Sequence, residues 1–166
     1  MIVIADDITG AAEMAGIAHE AGYDVRLVCD CATVTSGTTV IATDTRSMTE
    51  DEAIAETRRI TAHLSPLTSH PSPLTPHLFK KTDSALRGHV VAELKTLMDT
   101  MGYQRAVYLP ANPSKGRIIK DGTYYINGTP IDQTDFSFDP EFPAKTAVLR
   151  ERFPDAEANG DRKSVV

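Results

Sequence analysis

"MIVIADDITGAAEMAGIAHEAG", residues 1–22, decides the fold. Met1 to Ala5 is a short apolar run without alternation, the pattern of a strand buried on both faces. Asp6 and Asp7 interrupt it. Thr9-Gly10 then leads into a helix to about Ala21, with Ala11, Met14, Ala15, Ala18 and Ala21 on one face and Gly22 as the stop. A buried strand that feeds straight into a helix is the first half of a βαβ unit. It predicts a parallel sheet covered by helices.

The rest of the chain is read from that beginning. Val25–Cys29 and Thr39–Thr43 read as the second and third strands. Thr49 and Glu52 form a T-x-x-E capping box opening a helix that buries Ala53, Thr57, Ile60 and Leu64. Ser65 to His77, "SPLTSHPSPLTPH", holds four prolines and predicts a surface loop. Leu78–Lys81 is the fourth strand. A helical stripe of Val90, Val91, Leu94, Leu97, Met98 and Met101 follows, stopped by Gly102. Arg105–Leu109 reads as a fifth strand. Beyond Pro110 the pattern changes. A D-G and an N-G signal between short β-prone runs predict a hairpin or meander, and a last helix is expected from about Ala144 to Phe153. The expected fold class is therefore α/β, a doubly wound, mainly parallel sheet of the Rossmann-like or flavodoxin-like kind, with a hairpin excursion after strand five.

The 166 residues suffice for one domain with a sizeable core. A formal net charge of -6 argues against general nucleic-acid binding but allows a locally positive pocket. No apolar run reaches the length of a membrane span. The start goes directly into a strand with no basic leader, so the expectation is a cytoplasmic chain. Cys29 and Cys31 form a C-x-C pair that builds neither a zinc set nor a redox motif, and two reduced thiols are expected. His63, His70 and His77 share no helical spacing, and no metal site is expected from them.

In an open parallel sheet, ligands bind at the carboxyl ends of the strands. Four of the five predicted strand ends there carry a polar cluster. Asp6-Asp7 at the first can accept from substrate hydroxyls, help hold a magnesium ion, or cap the helix. Gly10 leaves amide donors at the helix start suited to an anion. Arg46 follows the third strand, and its guanidinium suits a carboxylate or phosphate. "KKTDSALRGH", residues 80–89, follows the fourth. Lys80 and Lys81 must point to opposite faces there, one toward the rim and one packed or solvated. Asp83 can hold a lysine or take a hydroxyl proton. After the fifth come Asn112, Ser114, Lys115 and Arg117, a combination a core has no use for. There is no G-x-x-x-x-G-K-[ST], G-x-G-x-x-G or G-x-S-x-G.

Four stretches, "IADDITGAAEMAG", "ATDTRS", "KKTDSALRGH" and "LPANPSKGR…DGTYYINGTPIDQTDFSFDP", lie in one order from Met1 to about Phe153. Together they resemble the N-terminal domain of the four-carbon acid sugar kinase family. The resemblance implies the substrate-binding part of an enzyme that phosphorylates a hydroxyl of threonate, erythronate or a 3-oxo-tetronate with ATP and Mg²⁺. A C-terminal domain, absent here, would supply most nucleotide contacts. Substrate-binding candidates are Asp6, Asp7, Gly10, Arg46, Lys80, Lys81, Asp83, Ser84, Arg87, Gly88 and Asn112. Arg46, one lysine and Arg87 would hold the carboxylate. Asp7 and Asp83 are the catalytic candidates, accepting from hydroxyls and orienting or deprotonating the attacking one.

On this reading the partners are a small acid sugar and ATP, with no nucleic acid or membrane, and a homo-oligomer is compatible with it. Residues 1–153 would be the substrate domain, itself incomplete, and 154–166 an irregular tail. "DRKSVV" continues no pattern of the family, so a truncated chain, inactive alone, is expected. Two alternatives stand beside this one. A response-regulator receiver domain would use Asp44 as phosphoacceptor, and a binding-only fragment would hold an acid sugar without catalysis.

Overall fold

The computed structural model describes residues 1–30, 37–68 and 77–154. Cys31, His70 and residues 155–166 lie outside the described residues. Cys29 is a free, exposed thiol. The chain divides into two compact units, Met1–Asp83 with Gly88–Ala106, and Ser84–Arg87 with the residues from Val107 on.

The first unit is a parallel sheet with helices on both faces. Strands β1 (Ile2–Ala5), β2 (Val25–Val28), β3 (Thr38–Ala42) and β4 (Leu78–Lys81) lie in the order β2-β3-β1-β4. Their pairing is parallel throughout, with Ile4 between Ile41 and Lys80 and Ala5 between Ala42 and Lys81. Period-two alternation divides the sheet between two cores. Val3, Ala5, Val40 and Ala42 meet Ala11, Met14 and Ala15 of helix α1 (Ile8–Glu20). On the other face Ile2, Ile4 and Ile41 meet Ile60 and Leu64 of α2 (Glu50–Thr68) and Leu97 of α3 (Val90–Met101). β1 thus departs into a helix on one face and β3 into a helix on the other. Their carboxyl ends form the crevice where such a sheet binds ligands.

The capping box is made: the Thr49 N–H and hydroxyl both donate to Glu52 Oε2, at 3.0 and 2.8 Å. Two expectations for this unit need correction. α2 does not stop before the proline-rich stretch but continues through Ser65–Thr68. A proline in the last turn forfeits one hydrogen bond and need not end a helix already packed along its length. The fifth strand is not formed either. Residues 105–110 join no ladder, and Val107 and Leu109 are 85% and 67% exposed. Among the described residues the parallel sheet therefore has four strands. β propensity yields a strand only where a partner edge takes it up.

The second unit is an antiparallel meander of β5 (Arg117–Lys120), β6 (Thr123–Ile126) and β7 (Thr129–Pro130). Asp121-Gly122 and Asn127-Gly128 make its two turns, all four with positive φ, as the D-G and N-G signals require. Tyr124, Ile126, Ile131, Ala144 and Ala147 form its core. The last helix is shorter than expected, a single turn, α4 (Leu149–Arg152). Before it the backbone is engaged by β6 instead. Tyr124 N–H donates to the Ala147 carbonyl, and Val148 bridges Thr123.

Candidate functional site

The crevice of the first unit is built around one guanidinium. A Thr45–Ser47 turn after β3 carries Arg46. The backbone holds that turn against β1: Arg46 N–H donates to the Asp6 carbonyl, and both the N–H and the hydroxyl of Thr43 donate to the Ala5 carbonyl. The Arg46 side chain then reaches three carboxylates. Nε and Nη2 each lie 3.3 Å from an oxygen of Asp6, Nη2 lies 2.8 Å from Asp7 Oδ1, and Nη1 lies 3.7 Å from Asp83 Oδ1. Burial works against the charge on Arg46, but the hydrogen bonds it donates to Asp6 and the charges of Asp6, Asp83 and Asp7 outweigh it and raise its pKa. Its fork is committed to protein carboxylates.

The adjacent aspartates have different tasks. Asp7 is the N-cap of α1, its Oδ1 accepting from Gly10 N–H at 2.8 Å. The Gly10 amide expected to face an anion is therefore taken by the protein's own cap. Asp7 Oδ2 has no partner among the described residues. A Cβ on Gly10 would stand 2.8 Å from Asp7 Oδ1, which explains glycine there. Gly88, with φ +88°, lies under the Asp6–Arg46 pair: a Cβ would come 3.4 Å from Asp6 Oδ2 and 3.5 Å from Arg46 Cγ.

Asp6 is buried, and burial pushes its carboxyl above the ordinary value of 3.8, against the opposing pull of Arg46 and Lys80. A raised carboxyl means that the folded state holds the proton more tightly than the unfolded one. The stability Asp6 contributes is full below pH 3.8 and is lost as pH rises through the raised value. In urea unfolding between about pH 3 and 7, the parent should lose stability relative to Asp6→Asn as pH climbs. A constant difference between the two would show that Asp6 titrates alike in both states.

The paired lysines diverge as period two demands. Lys81, beside Ala5 on the α1 face, donates to the Thr82 carbonyl at 2.8 Å and lies 3.6 Å from Glu13. Lys80, beside Ile4 on the α3 face, donates to Glu93 Oε2 at 2.5 Å. Both of those side chains are nearly fully buried. Glu93 also accepts from Thr45 at 3.0 Å and Thr57 at 3.4 Å, and Thr45 Oγ1 lies 2.9 Å from Thr43 Oγ1. A buried polar chain thus braces the turn that carries Arg46. Glu93 is a residue the sequence reading missed. Val90 and Leu97 of the expected stripe are buried, but Leu94 is only half-buried, and the buried face of α3 is Val90, Glu93, Thr96 and Leu97.

The first unit therefore brings together Asp6, Asp7, Gly10, Arg46, Lys80, Lys81, Asp83 and Gly88. Ser84, Arg87 and Asn112 belong to the second unit, and the cluster near Asn112 follows no strand of the parallel sheet. Among the described residues no group of three or more His, Cys, Asp or Glu could hold a metal ion. The three aspartates close on a guanidinium instead. No helix of the described residues is long and apolar enough to cross a membrane.

Known proteins resemble the chain over nearly its whole length. It is 32% identical over 154 residues to a D-threonate kinase of Salmonella typhimurium, covering 91% of this chain and 35% of that protein. A D-erythronate kinase of Heliobacterium modesticaldum is 30% identical, with 90% of this chain and 34% of that protein covered. A 3-oxo-tetronate kinase of Brucella melitensis is 30% identical, with 85% and 33% covered. The chain spans about a third of the length of these curated relatives. Among solved structures, a Haemophilus influenzae protein superposes with a TM-score of 0.78 at 25% identity, covering 97% of this chain and 39% of that one. A Bordetella bronchiseptica domain of unknown function, crystallised with citrate as a domain-swapped dimer, has the same fold, with a TM-score of 0.76 at 24% identity and coverage of 96% and 42%. The receiver-domain alternative falls here. Residues 1–158 match the sugar-binding N-terminal domain family, and the chain belongs to it.

Proposed function

We propose that the first unit is the acid-sugar site of a kinase that phosphorylates a hydroxyl of threonate, erythronate or a 3-oxo-tetronate. The observation that carries this reading is the shared guanidinium of Arg46 with Asp7 Oδ2 left over beside it. A four-carbon acid offers hydroxyl donors and one carboxylate. Asp7 Oδ2 and Asp83 suit the hydroxyls, and the positive charge of Lys81 and Arg46 suits the carboxylate. One of the two aspartates orients or deprotonates the attacking hydroxyl, and Asp6 and Gly88 hold Arg46 in place for both. Lys80 acts from behind through Glu93. The names of the relatives favour the same substrate class.

The residues at hand do not fit a magnesium ion, because Arg46 fills the centre of the carboxylates. ATP, which would supply the phosphoryl group, and Mg²⁺ are assigned to the part of the relatives that this chain does not span. Residues 1–153 then act as a substrate domain beside a C-terminal nucleotide domain.

Calorimetric titration tests the reading. D-threonate or D-erythronate should bind, and erythritol, with the hydroxyls but no carboxylate, should bind at least about tenfold more weakly. Asp7→Asn should weaken the acid as well. Equal affinity for acid and polyol, or no binding of either acid, would overturn it.

A further inference from the structure

The second unit carries a donor cluster that the acid-sugar reading of the first unit does not use. Arg117, at the start of β5, is half-buried against Phe136, its guanidinium carbon 5.9 Å from the ring centroid. Nε donates to Ser84 Oγ and Nη1 to the Lys115 carbonyl, both at 3.3 Å. Nη2 has no acceptor among the described residues, and no carboxylate there pairs with Arg117.

Asn112 stands directly opposite. The two residues exchange backbone hydrogen bonds, Asn112 N–H to the Arg117 carbonyl at 2.9 Å and Arg117 N–H to the Asn112 carbonyl at 3.0 Å. Residues paired in that way project side chains from the same face. Asn112 Oδ1 accepts from the Ser114 hydroxyl at 2.7 Å, which leaves its Nδ2 donors without an acceptor among the described residues. Arg87 contributes a second guanidinium 5.6 Å from the same Phe136 centroid, in an ion pair with Asp139 at 3.4 Å. Hydrogen bonds from Phe142 and Glu141 N–H hold Asp139 below the usual carboxylate range, so it stays charged at neutral pH. Two cations therefore share one aromatic ring. One is balanced by Asp139, and the other has no anion among the described residues.

We propose that Arg117 and Asn112, with Arg87 across the Phe136 ring, form a binding site for a small oxyanion, a carboxylate or a phosphate. Ser84 and the Lys115 carbonyl hold Nε and Nη1 and leave Nη2 without an acceptor among the described residues, so the guanidinium is fixed before the ligand arrives. Phe136 supplies an apolar wall that strengthens the charged hydrogen bonds. Ser84, Arg87 and Asn112, candidates from the sequence, find a common role here, and Arg117 is the residue at its centre. The inference concerns the second unit alone and stands whether or not the first takes an acid sugar.

The arginine Nε–Hε resonances of the 166-residue chain test it, since Arg117 reports this cluster and Arg46 the crevice of the first unit. Inorganic phosphate and D-threonate are titrated separately at constant ionic strength, with sodium chloride as the control. The Arg117 resonance should shift and saturate with at least one of the two and not with chloride. Saturation by phosphate alone assigns a phosphoryl ligand, and saturation by threonate alone a carboxylate. Arg117→Ala should weaken that ligand at least about tenfold, read from the Arg87 resonance, and Arg117→Lys should recover only part of it. Should the alanine variant fail to fold, the lysine variant and the parent's own shifts decide. An Arg117 resonance that moves with neither anion, or an Arg117→Lys chain that binds like the parent, would overturn the site. A shift at Arg46 alone would leave the acid-sugar reading standing and refute this one.

Discussion

Glu93→Ala should lower the unfolding free energy by about 3–5 kcal/mol, the cost of leaving a buried charge without its partner. Lys80 is 7% exposed at its side chain and Glu93 2%. Lys80 lies on β4 on the face that α3 covers, and Glu93 is the carboxylate that pairs with it there. Removing the carboxylate also strands the hydroxyls of Thr45 and Thr57, which donate to the same Oε2. Glu93→Gln keeps the shape and an acceptor oxygen but not the charge, so it should still be clearly destabilised. The double variant Lys80→Met, Glu93→Leu separates pairing from packing. A buried ion pair exchanged for apolar side chains of similar volume is often close to neutral, so the double variant should be far more stable than Glu93→Ala. Urea midpoints with an unchanged denaturant slope would measure this. A loss under about 1 kcal/mol in Glu93→Ala would mean that water or another group compensates Lys80, and that the brace behind Arg46 is not electrostatic.

Why the strands and turns were legible while Glu93 was not is a matter of range. Ile2–Ala5 announces itself, because a strand covered on both faces needs apolar side chains at every position, and all four are buried. The turns of the second unit are equally local. Asp121-Gly122 and Asn127-Gly128 adopt the positive φ that few other pairs accept. Lys80 and Lys81 diverge because strand geometry gives them no choice. What the sequence hides is any feature set by a distant partner. Glu93 occupies a buried helical position because Lys80, thirteen residues earlier, faces it. The apolar pattern alone favoured the neighbouring phase through Leu94. The signal available was a glutamate three residues after Val90 and four before Leu97, on the stripe that should have been apolar. Arg105–Leu109 failed in the opposite sense. It has strand propensity and no ladder, while Tyr108 packs edge-on against Phe153 at 5.4 Å in the second unit. In the crevice, the positions of Asp6, Asp7, Arg46 and Asp83 could be read. That Arg46 is spoken for by three carboxylates could not, because ion pairing across loops leaves no periodic trace.

That arrangement sets the largest effect expected in the crevice. Arg46→Ala should destabilise the chain by about 3–5 kcal/mol at neutral pH, since it leaves like charges facing one another with Asp6 almost wholly buried. The sign of the pH dependence follows. Without the guanidinium, the folded state raises the pKa of the aspartates that paired with it, so it binds protons that the unfolded chain does not. Stability then rises as pH falls. The deficit of Arg46→Ala against the parent should therefore shrink on acidification toward the ordinary aspartate value, whereas loss of mere packing would keep it constant. Arg46→Lys should sit between the two, because one ammonium cannot span the positions that Nε, Nη1 and Nη2 occupy together. Asp6→Asn placed on Arg46→Ala should recover part of the loss by removing the most buried of the stranded charges, and this coupling should exceed what the single variants add up to. Acid-sugar binding distinguishes scaffold from contact. If Arg46 serves only to hold the aspartates, Arg46→Lys should bind D-threonate nearly as well as the parent once folded. If the guanidinium also meets the substrate carboxylate, the lysine variant should lose at least about tenfold in affinity while its stability is largely kept.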